Sequence, residues 1–212
     1  MCERPELKRP DSKVFGIGVG CDLSFDKDMI QRYGSKVWAF DPTPGAIGCV
    51  QKMLPSLPSS LFFVPLGIGA VDDDAVDVHL PKTHGESFTP TQYNTPIKQK
   101  ASIKVRTLQS LLRLQGFQSV DVLKIDVESF EFSIVKSWKE AQQPPCARQL
   151  LIELHNRFLP ADQGRQAAKE LLSTLEDFGF ALFHVEKGEE YSLICVRGPC
   201  LKQCFNNVLE DE

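Results

Sequence analysis

An apolar run from Val14 to Val19 ends in three glycines at alternate positions, Gly16, Gly18 and Gly20, and a helical pattern follows at once. No other feature restricts the fold of this chain as much. A short run of this kind reads as a strand buried on both faces. Glycines at its tip let the backbone pass close to a neighbour with no β-carbon in the way. The helix behind them carries Phe25, Met29, Ile30 and Tyr33 at helical spacing, with Ser24 placed to cap it and Gly34 to stop it in a left-handed turn.

The alternation continues along the chain. Val37 to Phe40 reads as a second strand, broken by Asp41-Pro42, then a short helix from Gly45 to Leu54, then a strand from Leu61 to Leu66 ending in Gly67 and Gly69. Ala75 to Leu80 alternates as a hairpin-like edge strand, and Pro81 to Gln99 reads as a long loop. Ser102 to Val105 is a second edge strand, followed by an amphipathic helix carrying Leu108, Leu111, Leu112 and Leu114. Val120 to Ile125 is a strong buried strand, Ser129 to Glu140 a helix, Leu150 to Leu154 a strand, and Ala167 to Phe178 a helix stopped by Gly179. Phe180 to Val185 and Tyr191 to Val196 close the sheet. Strands alternating with helices predict an α/β fold with a mostly parallel sheet covered on both faces. Neither a repeat nor a long linker divides the chain, so one domain is expected over residues 14–198, with a short extension at 1–13 and a tail at 199–212. The first strand begins early for such a fold, and a truncated domain is therefore one reading.

Composition narrows the partners. The net charge is −4 and the basic residues are scattered, so no nucleic-acid partner is expected. The one basic stretch, Lys98, Lys100, Lys104 and Arg106, reads as a solvated edge. Apolar runs fall short of the ~20 residues that span a bilayer, and Met1 to Lys13 lacks the apolar centre of a signal peptide, which leaves the cytoplasm as the default. The cysteines number seven, in no spacing typical of a disulfide framework or zinc site. Cys21, Cys49 and Cys195 read as buried free thiols, Cys200 and Cys204 as residues of a final helix, and a reducing compartment fits best. No metal ligand set is read from the sequence. His79, His84 and His184 fall in no constellation and are expected at the surface or in loops.

Chemistry concentrates at three strand ends. The first is the glycine run, which opens onto a helix N-terminus that favours carboxylate or other anionic groups. The second is Asp41, 21 residues beyond Gly20, where a carboxylate can accept both hydroxyls of a ribose; capping the next helix is its other reading. Together they fit a nicotinamide or an S-adenosylmethionine site. The spacing G-x-G-x-G lacks the third glycine of a dinucleotide fingerprint, and Asp22 would sit badly against a pyrophosphate, so the sulfonium ligand is favoured. Asp22 and Gly67 complete the candidate cofactor set. The third is Val120 to Glu131, whose buried strand delivers Lys124 and Asp126 on one face at its C-terminal end. Glu128 and Glu131 follow near a helix start, where the dipole favours carboxylates; Glu131 reads equally well as helix-end stabilisation. His155 follows the strand Leu150 to Leu154 and is expected on the same edge as Asp126. Asp126 or His155 is the candidate base, with Lys124 or Glu128 orienting the groups.

Four segments, F-G-I-G-V-G-C-D-L-S-F-D, V-W-A-F-D-P-T-P, D-V-L-K-I-D-V-E-S-F-E and L-L-I-E-L-H, span Phe15 to His155 in an order that resembles the FkbM-type methyltransferase family. The resemblance implies a Rossmann-like class I fold with a mostly parallel seven-stranded sheet. It also implies S-adenosylmethionine as cofactor and O-methylation of a hydroxyl on a small molecule or glycan. Carried across, it places Gly16, Gly18 and Gly20 along the methionine part of the cofactor, Asp41 at the ribose and Asp126 at the methyl-transfer region. Cys21, Ser129 and Gln109 depart from the family's commoner residues. A methyltransferase-like binding module without turnover and a nicotinamide-dependent oxidoreductase stand as alternatives.

Overall fold

A computed structural model describes residues 11–81, 89–90, 97–186 and 189–205. Its centre is a seven-stranded sheet. The strands are β1 (Lys13–Ile17), β2 (Lys36–Phe40), β3 (Leu61–Val64), β7 (Val120–Ile125), β8 (Ala147–Glu153), β9 (Phe180–Glu186) and β10 (Glu190–Cys195). Their order is β3-β2-β1-β7-β8-β10-β9. Neighbours from β3 through β8 run parallel, and only β10 is antiparallel to the strands beside it.

Adjacent residues of the central strands point to opposite faces, and each face has its own cover. Val14, Val37 and Val122 lie in one register and pack against Met29 of α1 (Ser24–Tyr33). Further along that face Ala39 and Leu61 meet Val50 of α2 (Pro44–Met53). Phe15, Phe40, Leu123 and Ile125 point the other way, into a cluster with α3 (Leu108–Leu114), α4 (Phe130–Ala141) and α5 (Ala161–Asp177). The apolar residues of β7 are all 2% exposed or less, as a strand covered on both faces requires. Gly34 takes φ 68 where α1 ends, as expected, but Ser24 does not cap that helix. Among the described residues, no helix is long and apolar enough to cross a membrane.

Three readings of the sequence are corrected. The edge strands expected at 75–80 and 102–105 do not border the main sheet. They are parts of β5 (Asp73–Pro81) and β6 (Ile97–Arg106), which pair antiparallel and form a separate three-stranded sheet with the short β4 (Gly67–Ile68). Each strand is longer than its alternating core because its partner satisfies its backbone, and most of the loop expected between them lies outside the described residues. His79 is buried in β5, where its backbone exchanges hydrogen bonds with Thr89; His184 is exposed and His84 lies outside the described residues. The cysteines expected to be free thiols are paired. Cys21 bonds Cys49, Cys146 bonds Cys204 and Cys195 bonds Cys200, with Cα separations of 5.6, 5.2 and 6.0 Å. Two of these pairs join residues 28 and 58 positions apart, so the tertiary fold and not local spacing creates them. The second ties the loop before β8 to a final helix, α6 (Gly198–Cys204), whose Cys200 is fully buried.

Peptide mapping of the unreduced chain is expected to return these three linkages. Replacing Cys146 and Cys204 by Ser is expected to lower the unfolding free energy by up to about 4 kcal/mol, the loop-closure value for a loop of that length. A denaturant melt unchanged by the double substitution would contradict the pairing.

Candidate active site

The sheet reverses its winding between β1 and β7, and at such a point the strand tips part to leave a crevice. The tips remain bonded at its base. The Gly18 N–H donates to the Phe40 carbonyl at 2.8 Å, and the Asp126 N–H to the Ile17 carbonyl at 3.0 Å. Gly18 has φ 83, and a β-carbon there would run into the carbonyl of Asp126. Only glycine fits.

Gly20, at φ 55, is the opposite case: nothing lies within 4 Å of where its β-carbon would be, so the chain passes it with open space alongside. Its N–H donates to Asp41 Oδ2 at 2.9 Å. The other carboxylate oxygen of Asp41 accepts from the Thr43 N–H at 2.9 Å and the Thr43 hydroxyl at 2.6 Å. Thr43 in turn caps α2. Asp41 therefore braces the start of that helix, which was one of its two readings, while also holding the glycine bend and lining the crevice. Asp22 Oδ1 accepts the Ser24 N–H at 2.8 Å and so serves the start of α1; these bonds from Ser24 hold its carboxyl below the usual range.

The crevice has a volume of about 610 Å³, within the ~300–1,000 Å³ of small-molecule sites. Gly18, Gly20, Asp22, Asp41 and Gly67 line one part of it, and Asp126 and Glu128 another. Ile68, Leu80, Ile103 and Val105 of the small sheet add an apolar wall, with Lys98 and Gln99 also at its surface. None of these six is among the site residues that the sequence predicts; Lys98 reads there as part of a solvated edge. Three predicted residues stand outside the lining. Gly16 lies against the buried Asp26, whose Oδ1 a β-carbon on Gly16 would approach to 2.5 Å. Lys124 faces a smaller cleft of about 170 Å³ that Asp126 and Glu153 share. Its Nζ is 3.1 Å from Asp126 Oδ2. His155 is buried behind both carboxylates, with its Nε2 3.5 Å from Asp126 Oδ1 and 3.6 Å from Glu128 Oε2.

The surroundings of His155 were only partly legible. Glu131, which could have been a simple helix-end carboxylate, is fully buried and accepts the backbone N–H groups of His155 at 2.6 Å and Ser129 at 2.9 Å. Burial alone would lower the His155 pKa, but the carboxylates of Glu131, Glu128 and Glu153 outweigh it and raise the value. Burial, helped by Asp126, pushes the Glu153 carboxyl up. Glu153 was missed although a signal existed, since it lies two positions before His155 and period two puts both on one side of the strand path. Glu128 and Ser129 take φ 48 and 85, a left-handed pair without glycine. Strain of about 1–3 kcal/mol per residue persists only where neighbours impose it, and here the Glu131 carboxylate and a Thr89–Ser129 hydroxyl contact of 3.1 Å do so.

A sequence profile described as the methyltransferase FkbM domain matches residues 22–182. The chain belongs to that family. No curated protein matches it. Among solved structures, the FkbM domain is similar to fibrillarin from Aeropyrum pernix in complex with S-adenosyl-L-methionine. That similarity has a TM-score of 0.50 and 11% identity over 92% of this chain and 70% of fibrillarin. A fibrillarin/Nop5p complex gives a TM-score of 0.50 and 10% identity over 89% and 74%. At such identities the likeness is one of fold, the Rossmann-like α/β arrangement.

Two glycines of the FkbM domain should respond differently to Ala. Gly18→Ala is expected to destabilise by about 3 kcal/mol or more, from strain and collision. Gly20→Ala is expected to cost about 1 kcal/mol and to narrow the crevice; equal losses of stability in urea melts would contradict the geometry. Asp26 gives a pH test. Burial pushes its carboxyl up to about 6, against the pull of Lys124, and its Oδ1 has no hydrogen-bond partner. A carboxyl raised in the folded state binds a proton there that the unfolded chain has released, so stability falls as pH rises from about 4 to 6. Asp26→Asn is expected to stabilise by up to about 3 kcal/mol at pH 8 and not at all below pH 4. A gain that is independent of pH would contradict this.

Proposed function

We propose that the chain transfers a methyl group from S-adenosylmethionine to a hydroxyl of a small molecule or glycan. The observation that carries this reading is the crevice, which has a glycine bend and Asp41 in one part and the Asp126–Glu128–His155 cluster bordering another. The residues present fit the cofactor. The space beside Gly20 is open, Gly18, Asp22 and Gly67 line the passage, and Asp41 lines it too, with lone pairs beyond those that brace Gly20 and Thr43 left to accept ribose hydroxyls on this reading. Gly16 serves from beneath, by leaving room for Asp26.

When bound, the cofactor supplies an electrophilic methyl group on a sulfonium. The chain must then orient an acceptor oxygen and keep water away. Leu80, Ile103, Val105 and Phe130 offer an apolar wall for an acceptor, and Lys98 and Gln99 offer polar contacts. Removal of the hydroxyl proton falls to Asp126 or His155. Lys124 holds one carboxylate oxygen of Asp126, Arg157 holds Glu128 at 3.1 Å, and the imidazole edge lies within 3.6 Å of both carboxylates. These contacts orient the groups before an acceptor arrives.

The test is transfer of labelled methyl to a panel of hydroxylated acceptors. Asp126→Asn and His155→Asn, made singly, are expected to lower turnover by ~10²–10⁴, the worth of a general base, while cofactor-induced thermal stabilisation persists. Unchanged turnover in both would overturn the assignment. A chain that binds the cofactor product yet methylates nothing in the panel would favour the binding-module alternative.

A further inference from the structure

The cluster around His155 holds more negative charge than its own cations neutralise. Asp126, Glu128, Glu131 and Glu153 all approach one imidazole at 3.4–3.6 Å. Lys124 and Arg157 are the cations that meet these carboxylates. Both are about a third exposed, whereas the histidine side chain is 1% exposed. With a neutral imidazole, the four carboxylates outnumber these two cations, so the cluster favours a further cation.

The distances point the same way. A protonated imidazole bonded to a carboxylate would draw it in to ~2.7–2.9 Å. Here Nε2 has no hydrogen-bond partner. Nε2 instead stands 3.5, 3.6 and 3.5 Å from oxygens of Asp126, Glu128 and Glu153, nearly equidistant from all three. The three carboxylates converge on that nitrogen. On the far edge of the ring, Nδ1 faces the fully buried Glu131 at 3.4 Å, and Glu131 also accepts the His155 backbone N–H. A buried carboxylate behind a histidine favours the proton on Nδ1 and leaves Nε2 as a lone-pair donor, the arrangement that orients histidine ligands.

We propose that Asp126, Glu128 and His155 form a binding site for a divalent first-row transition-metal cation, with Glu153 available as a fourth ligand. One donor atom from each of the three lies within 4.8 Å of the others. Ligands ~2.0–2.2 Å from a common ion stand about 3–4.4 Å apart, so small side-chain rotations close the site. One imidazole among carboxylates suits manganese, iron or zinc better than calcium, which takes oxygen alone. The cation's place beside the crevice would let an acceptor hydroxyl complete its coordination and release its proton more readily, in place of direct proton transfer to Asp126 or His155, and that further role rests on the methyl-transfer reading. Metal binding itself does not.

The full chain, stripped with a chelator and dialysed, is titrated with manganese(II) and followed by the loss of the aqueous manganese signal in electron paramagnetic resonance. One manganese per chain is expected. His155→Ala and, at a more exposed position, Glu128→Gln should each weaken binding at least tenfold. Glu131→Gln should weaken it less, through loss of imidazole orientation, and circular dichroism checks that each variant is folded. No uptake by the folded wild-type chain, or uptake unaffected by both ligand substitutions, overturns the site. Displacement of manganese by equimolar calcium overturns the first-row assignment. Thermal shifts with S-adenosylhomocysteine on the same samples separate the two readings. Manganese uptake without a shift leaves the metal site and removes the methyl-transfer reading, and a shift without uptake does the reverse.

Discussion

The tips of β1 and β7 meet at Gly18 with no room for a side chain, and every distance in the crevice depends on that meeting. The contact fixes where β7 ends and so where Asp126 projects. It also fixes the bend that carries Gly20 to Asp41. The brace then extends through both oxygens of Asp41 to Thr43 and the first turn of α2. Two strand tips, a carboxylate and a helix start are thus tied together by short hydrogen bonds around an open volume. Preorganisation of this kind spares a ligand the ordering cost that a loose loop would impose.

The far side of the crevice is built differently. The glycine side is stabilised by backbone donors meeting one carboxylate, whereas the His155 side concentrates like charges in a desolvated place. Burying carboxylates is unfavourable unless each finds a compensating partner. Glu131 finds two backbone N–H groups, Asp126 finds Lys124, and Glu128 finds Arg157. Glu153 faces the imidazole at 3.5 Å and feels Lys124 at longer range, yet burial still raises its carboxyl pKa. The strained pair Glu128–Ser129 sits at the same spot, held by contacts from α4 and from Thr89. Strain and uncompensated charge in one place mark where stability has been given up for binding or chemistry.

Much of this was legible because the signals were local. The glycine run, the helical spacing of Phe25 to Tyr33 and the apolar run at Val120 to Ile125 each specify an element within a dozen residues. Their alternation specifies a parallel sheet. Asp41 was legible as a strand-end carboxylate, although its service to Thr43 and its service to the bend proved to be a single arrangement. What stayed hidden was non-local. Cys21 and Cys49, or Cys146 and Cys204, meet only once the sheet has formed. Glu131 looks like any acidic residue in a first helical turn until β8 brings His155 over it. The small sheet was half-seen because β5 and β6 pair with each other across a long intervening segment and not with the main sheet.

On the methyl-transfer reading proposed above, the bend at Gly18–Gly20 and the carboxylate of Asp41 act as a single receptor for the adenosine-bearing methyl donor. Isothermal calorimetry of S-adenosylhomocysteine on the wild-type chain and on Asp41→Ala tests it most directly. One site per wild-type chain is expected, with a loss of at least tenfold in affinity on substitution, consistent with removing a charge-assisted hydrogen-bond acceptor worth ~1.5–3 kcal/mol, in a variant whose circular dichroism is unchanged. No heat of binding to the wild type, or equal affinity in the two proteins, would contradict it.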